Sequence, residues 1–321
     1  MTPARLLPSI ASIAEYRLVV REAGVWLSAM RAIQQRHGLS GRLKMCPPAS
    51  NVVFGVGADL IIKLYPSLWR EDEIPDRLLM EHLDGKLAVP TPRLVASGEI
   101  DGWPYLVMTR LEGQMLGQVW RRVPPVDQRA IVEQLGALMA QLHAAPLAGL
   151  GALAVDWDAF MADRRAECIE KQRGFGMTEP WLDDLAAFIA ALPPLHPPAP
   201  RCVLMSADIT ADHVMLAERG GRWRAVGFFD FGDAMIGHHL YEFAAPAAFI
   251  TRGNPALLKA LFESYGTPSA EIDEGLSRRL AGYVVLHRFS NIPALAQRTE
   301  RSAPLPDLAA FLGETCALPP R

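Results

Sequence analysis

The sequence of 321 residues holds four cysteines, Cys46, Cys168, Cys202 and Cys316, and no two of them form a CxxC pair. That scarcity argues against a zinc site and against a disulfide framework, and leaves reduced thiols as the expectation. Long apolar runs are also missing. Hydrophobic residues make up 50% of the chain, yet none of their runs is long enough to cross a bilayer. The N-terminal stretch places Arg5, Glu15 and Arg17 among its apolar residues and has no signal-peptide core. A soluble, cytoplasmic protein with no membrane partner is expected. Charge of one sign is scarce as well: 32 Lys and Arg stand against 35 Asp and Glu, a net −3. That balance argues against nucleic acid as the main partner. The chain has no Walker loop, no complete GxGxxG and no internal repeat.

What is there reads as two parts. At this length a single core would be large, so two lobes are expected, 1–111 and 112–321. Helical spacing over 10–37 (Val25, Leu27, Met30, Ile33) leads into a strand pair over 47–66 with a glycine-rich turn. A helix follows over 70–86 and stops before Pro90. Two more strands are expected at 93–97 and 103–109 around a turn at 98–102. After Gly113 the pattern becomes helical, over 126–143, 157–173, 179–192, 240–250, 255–265 and 270–290. The proline-rich 193–200 reads as a rigid connector.

Chemistry concentrates between Leu204 and Glu242. Asp208 sits in a polar turn after the apolar Val203-Leu204-Met205. Asp230 ends the apolar run 225–229 and is followed by Phe231-Gly232. An apolar run that closes on Asp and Gly reads as a buried strand delivering a carboxylate to a turn. Two such carboxylates give a proton acceptor and a metal ligand, the division of labour that phosphoryl transfer needs. Lys63, inside the apolar LIIKLY, is costly to bury unless paired. It is read as a phosphate-reaching cation held by a helix carboxylate, or as an edge-strand lysine in water. Ser50-Asn51, before Val52-Val53-Phe54-Gly55, reads as a hairpin whose amides cover phosphates, or as a plain turn. His213, five residues after Asp208, is a candidate metal ligand. Glu242 is read as a buried acceptor that braces the loops around both aspartates. His238, His239 and His143 are read as structural.

These blocks, in this order over roughly 45–290, resemble the aminoglycoside phosphotransferase family, the small-molecule branch of the protein-kinase-like fold. SNVVFGVGADLIIKLYP resembles its nucleotide hairpin, LMSADITADHVML its catalytic loop and FFDFGDAMIGHHLYEFA its metal-binding segment. The resemblance implies a bilobal α+β fold: an N-terminal antiparallel sheet with a helix, then a larger, mainly helical C-terminal part. It implies ATP, or GTP, and Mg2+, with Mn2+ as an alternative. Asp208 would be the catalytic base and Asp230 a metal ligand, with His213 at the second metal position. Lys63 would contact the phosphates, and Ser50 and Asn51 would cover them. Met108 to Leu111, Thr109 included, would present backbone to the adenine. Among Glu73, Asp76 and Glu81, spacing favours Asp76 as the partner of Lys63, although glutamate is the family's usual choice.

The chain departs from the family pattern at two places. Ser206-Ala207-Asp208 stands where the family usually has His-Gly-Asp, which removes a buried brace but not the base. His213 stands where the family usually has Asn, which exchanges an amide oxygen for an imidazole nitrogen. Residues 113–321 carry 23 acidic against 19 basic side chains, which suits a cationic substrate. An aminoglycoside or aminocyclitol is the first expectation, with Asp156, Asp158, Asp163, Glu271, Asp273 and Glu274 as candidate contacts. Other small-molecule kinases share these motifs: choline, homoserine, methylthioribose and macrolide kinases. A degenerate kinase fold that binds ligand without transfer is the non-enzymatic alternative. A monomer or weak dimer is expected.

Overall fold

The computed structural model describes residues 5–47, 50–298 and 305–319. The chain divides into two compact units, one of residues 1–113 with 226–233, the other of 114–225 with 234–321. A split by sequence order alone does not place 226–233 with the first unit.

The first unit opens with two helices, α1 (Ile13–Val19) and α2 (Ala23–Arg36). The expected single helix over 10–37 is therefore broken at Val20–Glu22. Ser12 caps α1 by accepting the Glu15 amide at 3.2 Å, while the Glu15 carboxylate reaches back to the Ala11 amide at 2.9 Å. That exchange satisfies amides that have no partner inside the helix. The sheet has five antiparallel strands in the order β1-β2-β3-β5-β4. They are β1 (Leu43–Met45), β2 (Val52–Val56), β3 (Leu60–Leu64), β4 (Leu94–Ile100) and β5 (Trp103–Thr109), with α3 (Glu73–Leu83) between β3 and β4. β1 has no counterpart in the sequence pattern. Its three residues carry no alternation of their own and are strand because Leu43 pairs with Val56 and Met45 with Phe54. β4 runs three residues further than expected, and Asp101-Gly102, at φ +50° and +86°, make the tight turn into β5.

The leading helices bury their aromatics with the sheet. The Trp26 and Trp103 rings lie 5.5 Å apart, and Tyr16 meets the Trp69 edge at 5.0 Å. All of these except Trp69 are buried in one core with Phe54, Ile62 and Val107. Hence β2, β3 and β5 are held rigidly from one face.

The second unit begins with β6 (Gln114–Met115), the short α4 (Leu116–Val119) and α5 (Pro125–His143), followed by α6 (Trp157–Gly174) and α7 (Glu179–Ala190). Asp156 caps α6 through the Ala159 amide. Next come β7 (Cys202–Met205), β8 (Val214–Arg219), β9 (Arg222–Phe228) and β10 (Met235–His238). β7 pairs antiparallel with β10, from Met205 opposite Met235 to Cys202 opposite His238. β6 and β9 flank β8.

The expected helix over 240–250 is instead a run of turns: a 3-10 turn at His239–Phe243, a single α turn α8 (Ala244–Pro246) and a wide π-type turn at Ala247–Thr251. Pro246 has no amide to donate, so a regular ladder cannot pass through it. The helices α9 (Pro255–Tyr265), α10 (Glu274–Leu286), α11 (Ile292–Arg298) and α12 (Leu308–Cys316) complete the unit. The last two lie beyond the expected C-terminal helix, and α10 ends at Leu286 rather than at 290. α5 crosses α9 at Gly136, where a Cβ would stand 2.5 Å from the Leu261 carbonyl oxygen. Among the described residues no helix is long and apolar enough to cross a membrane. The four cysteines are free thiols.

Candidate active site

In the first unit β3 delivers Lys63 to a buried cluster. Its Nζ lies 2.5 Å from Asp76 Oδ2 and 2.8 Å from Asp230 Oδ1. Of the helix carboxylates Glu73, Asp76 and Glu81, Asp76 is the partner of this lysine. Its place is settled by the helix itself: Asp76, Leu79, Met80 and Leu83 form the buried face of α3. Glu73 turns to Arg77 at 2.8 Å, and Glu81 approaches the same arginine at 3.9 Å.

Asp76 does more than balance a charge. Its Oδ2 also accepts the Tyr65 hydroxyl at 2.6 Å, and its Oδ1 accepts the Phe231 amide at 2.8 Å. The helix is thereby tied to the Asp230-Phe231-Gly232 turn. Asp230 holds φ +73°, a conformation that strains a residue with a side chain by about 1–3 kcal/mol. The Phe231 amide and the Lys63 ammonium keep it there. Burial alone would push the Lys63 pKa down, but the charges and hydrogen bonds of Asp230 and Asp76 outweigh it, and the ammonium is held above its ordinary range. Burial, then Asp76, pushes the Tyr65 phenol well up.

The other expected nucleotide residues lie on the same sheet. Ser50 and Asn51 belong to the β1–β2 connection, not to the β2–β3 turn, which is at Gly57–Asp59. They stand at the Lys63 end of the strands, since Val53 pairs with Lys63. The Ser50 carbonyl accepts the Tyr16 hydroxyl at 2.9 Å, and the Asn51 side chain accepts the Trp69 indole at 3.1 Å. Met108 and Thr109 end β5, opposite Ile61 and Leu60. The Thr109 amide donates to Arg93 at 3.0 Å and the Arg110 amide to Asp59 at 2.7 Å. The Leu111 amide has no hydrogen-bond partner among the described residues.

In the second unit β7 leads into Ser206-Ala207-Asp208. Ala207 is buried at φ +61°, a conformation that favours glycine. Two groups distant in sequence clamp it. Its amide donates to Glu242 Oε1 at 3.1 Å, and its carbonyl accepts His287 Nε2 at 3.1 Å. His287 Nδ1 in turn accepts the Phe289 amide at 3.3 Å. Those two partners define a neutral imidazole with its proton on Nε2. Burial, then Arg288, pushes its pKa down to about 3. Sequence pattern pointed to Glu242 but gave no local signal for His287, a lone histidine just after α10.

Asp208 follows this clamp, partly exposed. The His213 ring closes the turn behind it: Nδ1 is 2.6 Å from the Asp208 carbonyl oxygen and 3.5 Å from Oδ2. A carbonyl only accepts, so Nδ1 carries the proton. Of the expected structural histidines, His238 is buried and His239 half-buried, and burial pushes their pKa values down to about 3 and about 4. His143 Nδ1 meets the Tyr265 hydroxyl at 2.9 Å.

Asp208 and His213 line a cavity of about 480 Å3 with Thr210, Arg252, Phe249 and Phe289. None of the six carboxylates expected to meet a cationic substrate lines it. Asp156 and Asp273 are spent as helix caps, and Asp158 lies 3.7 Å from His196.

A lysine–carboxylate cluster on an antiparallel sheet, together with an aspartate loop between short strands in a helical unit, defines a kinase-like α+β fold. The solved structures agree. The GDP complex of wild-type aminoglycoside 2'-phosphotransferase-IIIa matches with a TM-score of 0.70 at 20% identity, over 81% of this chain and 88% of that one. The streptomycin–ATP–APH(2")-IIa ternary complex matches with a TM-score of 0.60 at 13% identity, over 79% and 88%. Macrolide 2'-phosphotransferase MphH from Brachybacterium faecium matches with a TM-score of 0.57 at 18% identity, over 78% and 87%. The profile of the phosphotransferase enzyme family matches residues 48–281, and the chain belongs to that family. It is a phosphotransferase acting on hydroxyl groups.

Proposed function

We propose that the protein transfers the γ-phosphoryl group of a nucleoside triphosphate to the hydroxyl of a small molecule, with Asp208 as the base. The observation that carries this reading is the buried Lys63 held between Asp76 and Asp230, an oriented cation of the kind that phosphate recognition uses. Lys63 neutralises phosphate charge, and Ser50 and Asn51 cover the phosphates. Met108, Thr109 and Leu111 form the edge that meets the base, with the Leu111 amide as its donor. GDP and ATP in the solved neighbours support a purine nucleotide. Catalysis rests on positioning and on charge placed in advance.

The donor set fits a divalent cation in part. Asp230 offers a hard carboxylate whose side chain is 33% exposed, and such ions take their remaining ligands from phosphate oxygens and water. When bound, the ion would neutralise charge on the phosphates. His213 has its Nδ1 committed to the Asp208 carbonyl, so only Nε2 can face a metal, and a nitrogen is a poor donor for Mg2+.

Two acceptor classes have support. Kanamycin and streptomycin in solved neighbours favour an aminoglycoside. The apolar lining of the Asp208 cavity favours a less charged alcohol. Replacing Asp208→Ala tests the assignment of the base. Transfer is lost while ATP binding, read by calorimetry, persists. Turnover within about tenfold of the unchanged protein would remove Asp208 from the role, since general bases contribute more than that.

A further inference from the structure

The cavity beside Asp208 carries its own statement about the acceptor, which rests on the phosphotransferase reading. At about 480 Å3 it matches a ligand of drug size. Much of its wall is apolar: Ala245, Ala248 and Phe249 from the turns after His239, with Phe289 and Leu295. Phe289 leaves 53% of its surface in solvent, a large ring exposed at the cavity.

The charges on the lining point the same way. Its carboxylates are Asp208 and Asp212, and the first is engaged by the proton of the reaction. A molecule with several ammonium groups would leave most of them unpaired against this wall, which is costly. Arg252 is the cation on the lining. It holds φ +48°, a backbone conformation that an L residue with a side chain rarely adopts. Its Nε donates to the Phe249 carbonyl at 2.9 Å, which fixes the guanidinium plane. Its remaining donors make no ion pair with any described carboxylate. An oriented guanidinium, exposed at the edge of a partly apolar cavity and without an ion pair to any described carboxylate, can receive a planar anion.

We propose that the acceptor is a hydroxylated molecule with a largely apolar body and one acidic group, a carboxylate held by Arg252, and not a polycation. In the reaction the acceptor oxygen bonds to the γ-phosphorus and the bond from that phosphorus to the β,γ-bridging oxygen breaks. The hydroxyl proton passes to Asp208, and the nucleoside diphosphate leaves with the bond pair.

The test uses the full-length protein with ATP or GTP and three acceptors: ω-hydroxydodecanoate, its methyl ester and kanamycin. The ester removes the charge that Arg252 would read and adds one methyl group. Phosphorylated product is followed by mass spectrometry, and binding to the Asp208→Asn protein by calorimetry. The acid is expected to bind and react with a KM about tenfold below that of the ester, the scale of one charge-assisted hydrogen-bond pair. Arg252→Gln erases that preference, and Arg252→Lys recovers part of it. Equal KM and affinity for acid and ester, or kanamycin as the sole acceptor, overturns the inference and leaves the phosphotransferase reading standing. Binding of nucleotide without binding or transfer to the acid also overturns it. Failure to bind either nucleotide sinks the broader reading instead.

Discussion

Glu242 accepts the amide of Ala207 at 3.1 Å, and both residues are buried. The contact spans 35 positions and holds the residue before Asp208 in a left-handed backbone conformation. Removing the carboxylate leaves a buried N–H with no acceptor, at a cost of about 1–3 kcal/mol. Glu242→Ala is therefore expected to lower the melting temperature and to reduce kcat more than it raises nucleotide KM. Glu242→Gln keeps an oxygen acceptor and restores most of both. Thermal unfolding and steady-state kinetics of the pair check this, and equal behaviour of the two variants would refute the clamp.

Acid sensitivity follows from the buried histidines. His287 is held near 3 and His238 near 3, against an ordinary 6.5, chiefly by burial. A depressed folded pKa means that the unfolded chain binds more protons between the two values. The stability from each histidine is complete above pH 6.5 and is lost progressively as pH falls from there toward 3. The expected slope is about 1.4 kcal/mol per pH unit for each histidine in that window. His287→Asn keeps a donor for the Ala207 carbonyl and does not titrate, so it should flatten the acid limb by about one proton. Urea unfolding from pH 7 to pH 4 measures the difference.

The parts of the site that the sequence reveals are those with a local signature. Lys63, Asp208 and Asp230 each interrupt or end an apolar run, and a run of that kind can be read along the chain. Asp76 was one of three candidates because Glu73 and Glu81 share its helix. Only the packing of α3 separates them, by turning Asp76 inward with Leu79 and Leu83. His287 has no local mark, since its partner Ala207 lies 80 residues away. β1 exists only through its pairing with β2, and the run after His239 looks helical until Pro246 removes an amide from the ladder. What could not be read is what depends on contacts between segments distant in sequence.

Asp76 gathers three donors, the Lys63 ammonium, the Tyr65 hydroxyl and the Phe231 amide. Asp76→Ala strands all three in a buried place, and removing one partner of a buried ion pair alone costs about 3–5 kcal/mol. The variant is expected to melt markedly lower and to bind ATP weakly even where it remains folded, because the Asp230 turn loses its tie to α3. Asp76→Glu keeps the charge on a longer stem and should recover part of the stability. Differential scanning calorimetry with and without ATP resolves the two effects. A melting temperature for Asp76→Ala within a degree or so of the unchanged protein would rule out a structural role for the cluster.

As the proposed second metal ligand, His213 would offer a cation a nitrogen donor. Its Nδ1–H is spent on the Asp208 carbonyl at 2.6 Å, so Nε2 is the atom left to meet a cation. An imidazole nitrogen suits Mn2+ better than Mg2+, which prefers hard oxygen ligands and near-ideal octahedral geometry. The unchanged protein is expected to show weak dependence on Mg2+ and higher turnover with Mn2+. His213→Asn replaces the ring with an amide oxygen and should move the preference toward Mg2+ by about tenfold in kcat/KM, the scale set by one metal ligand or its support. The same substitution removes the ring that closes the turn after Asp208, so nucleotide affinity without metal is measured alongside to separate the two effects. An unchanged ratio of Mn2+ to Mg2+ activity would place His213 in the scaffold of the loop and leave the metal to Asp230.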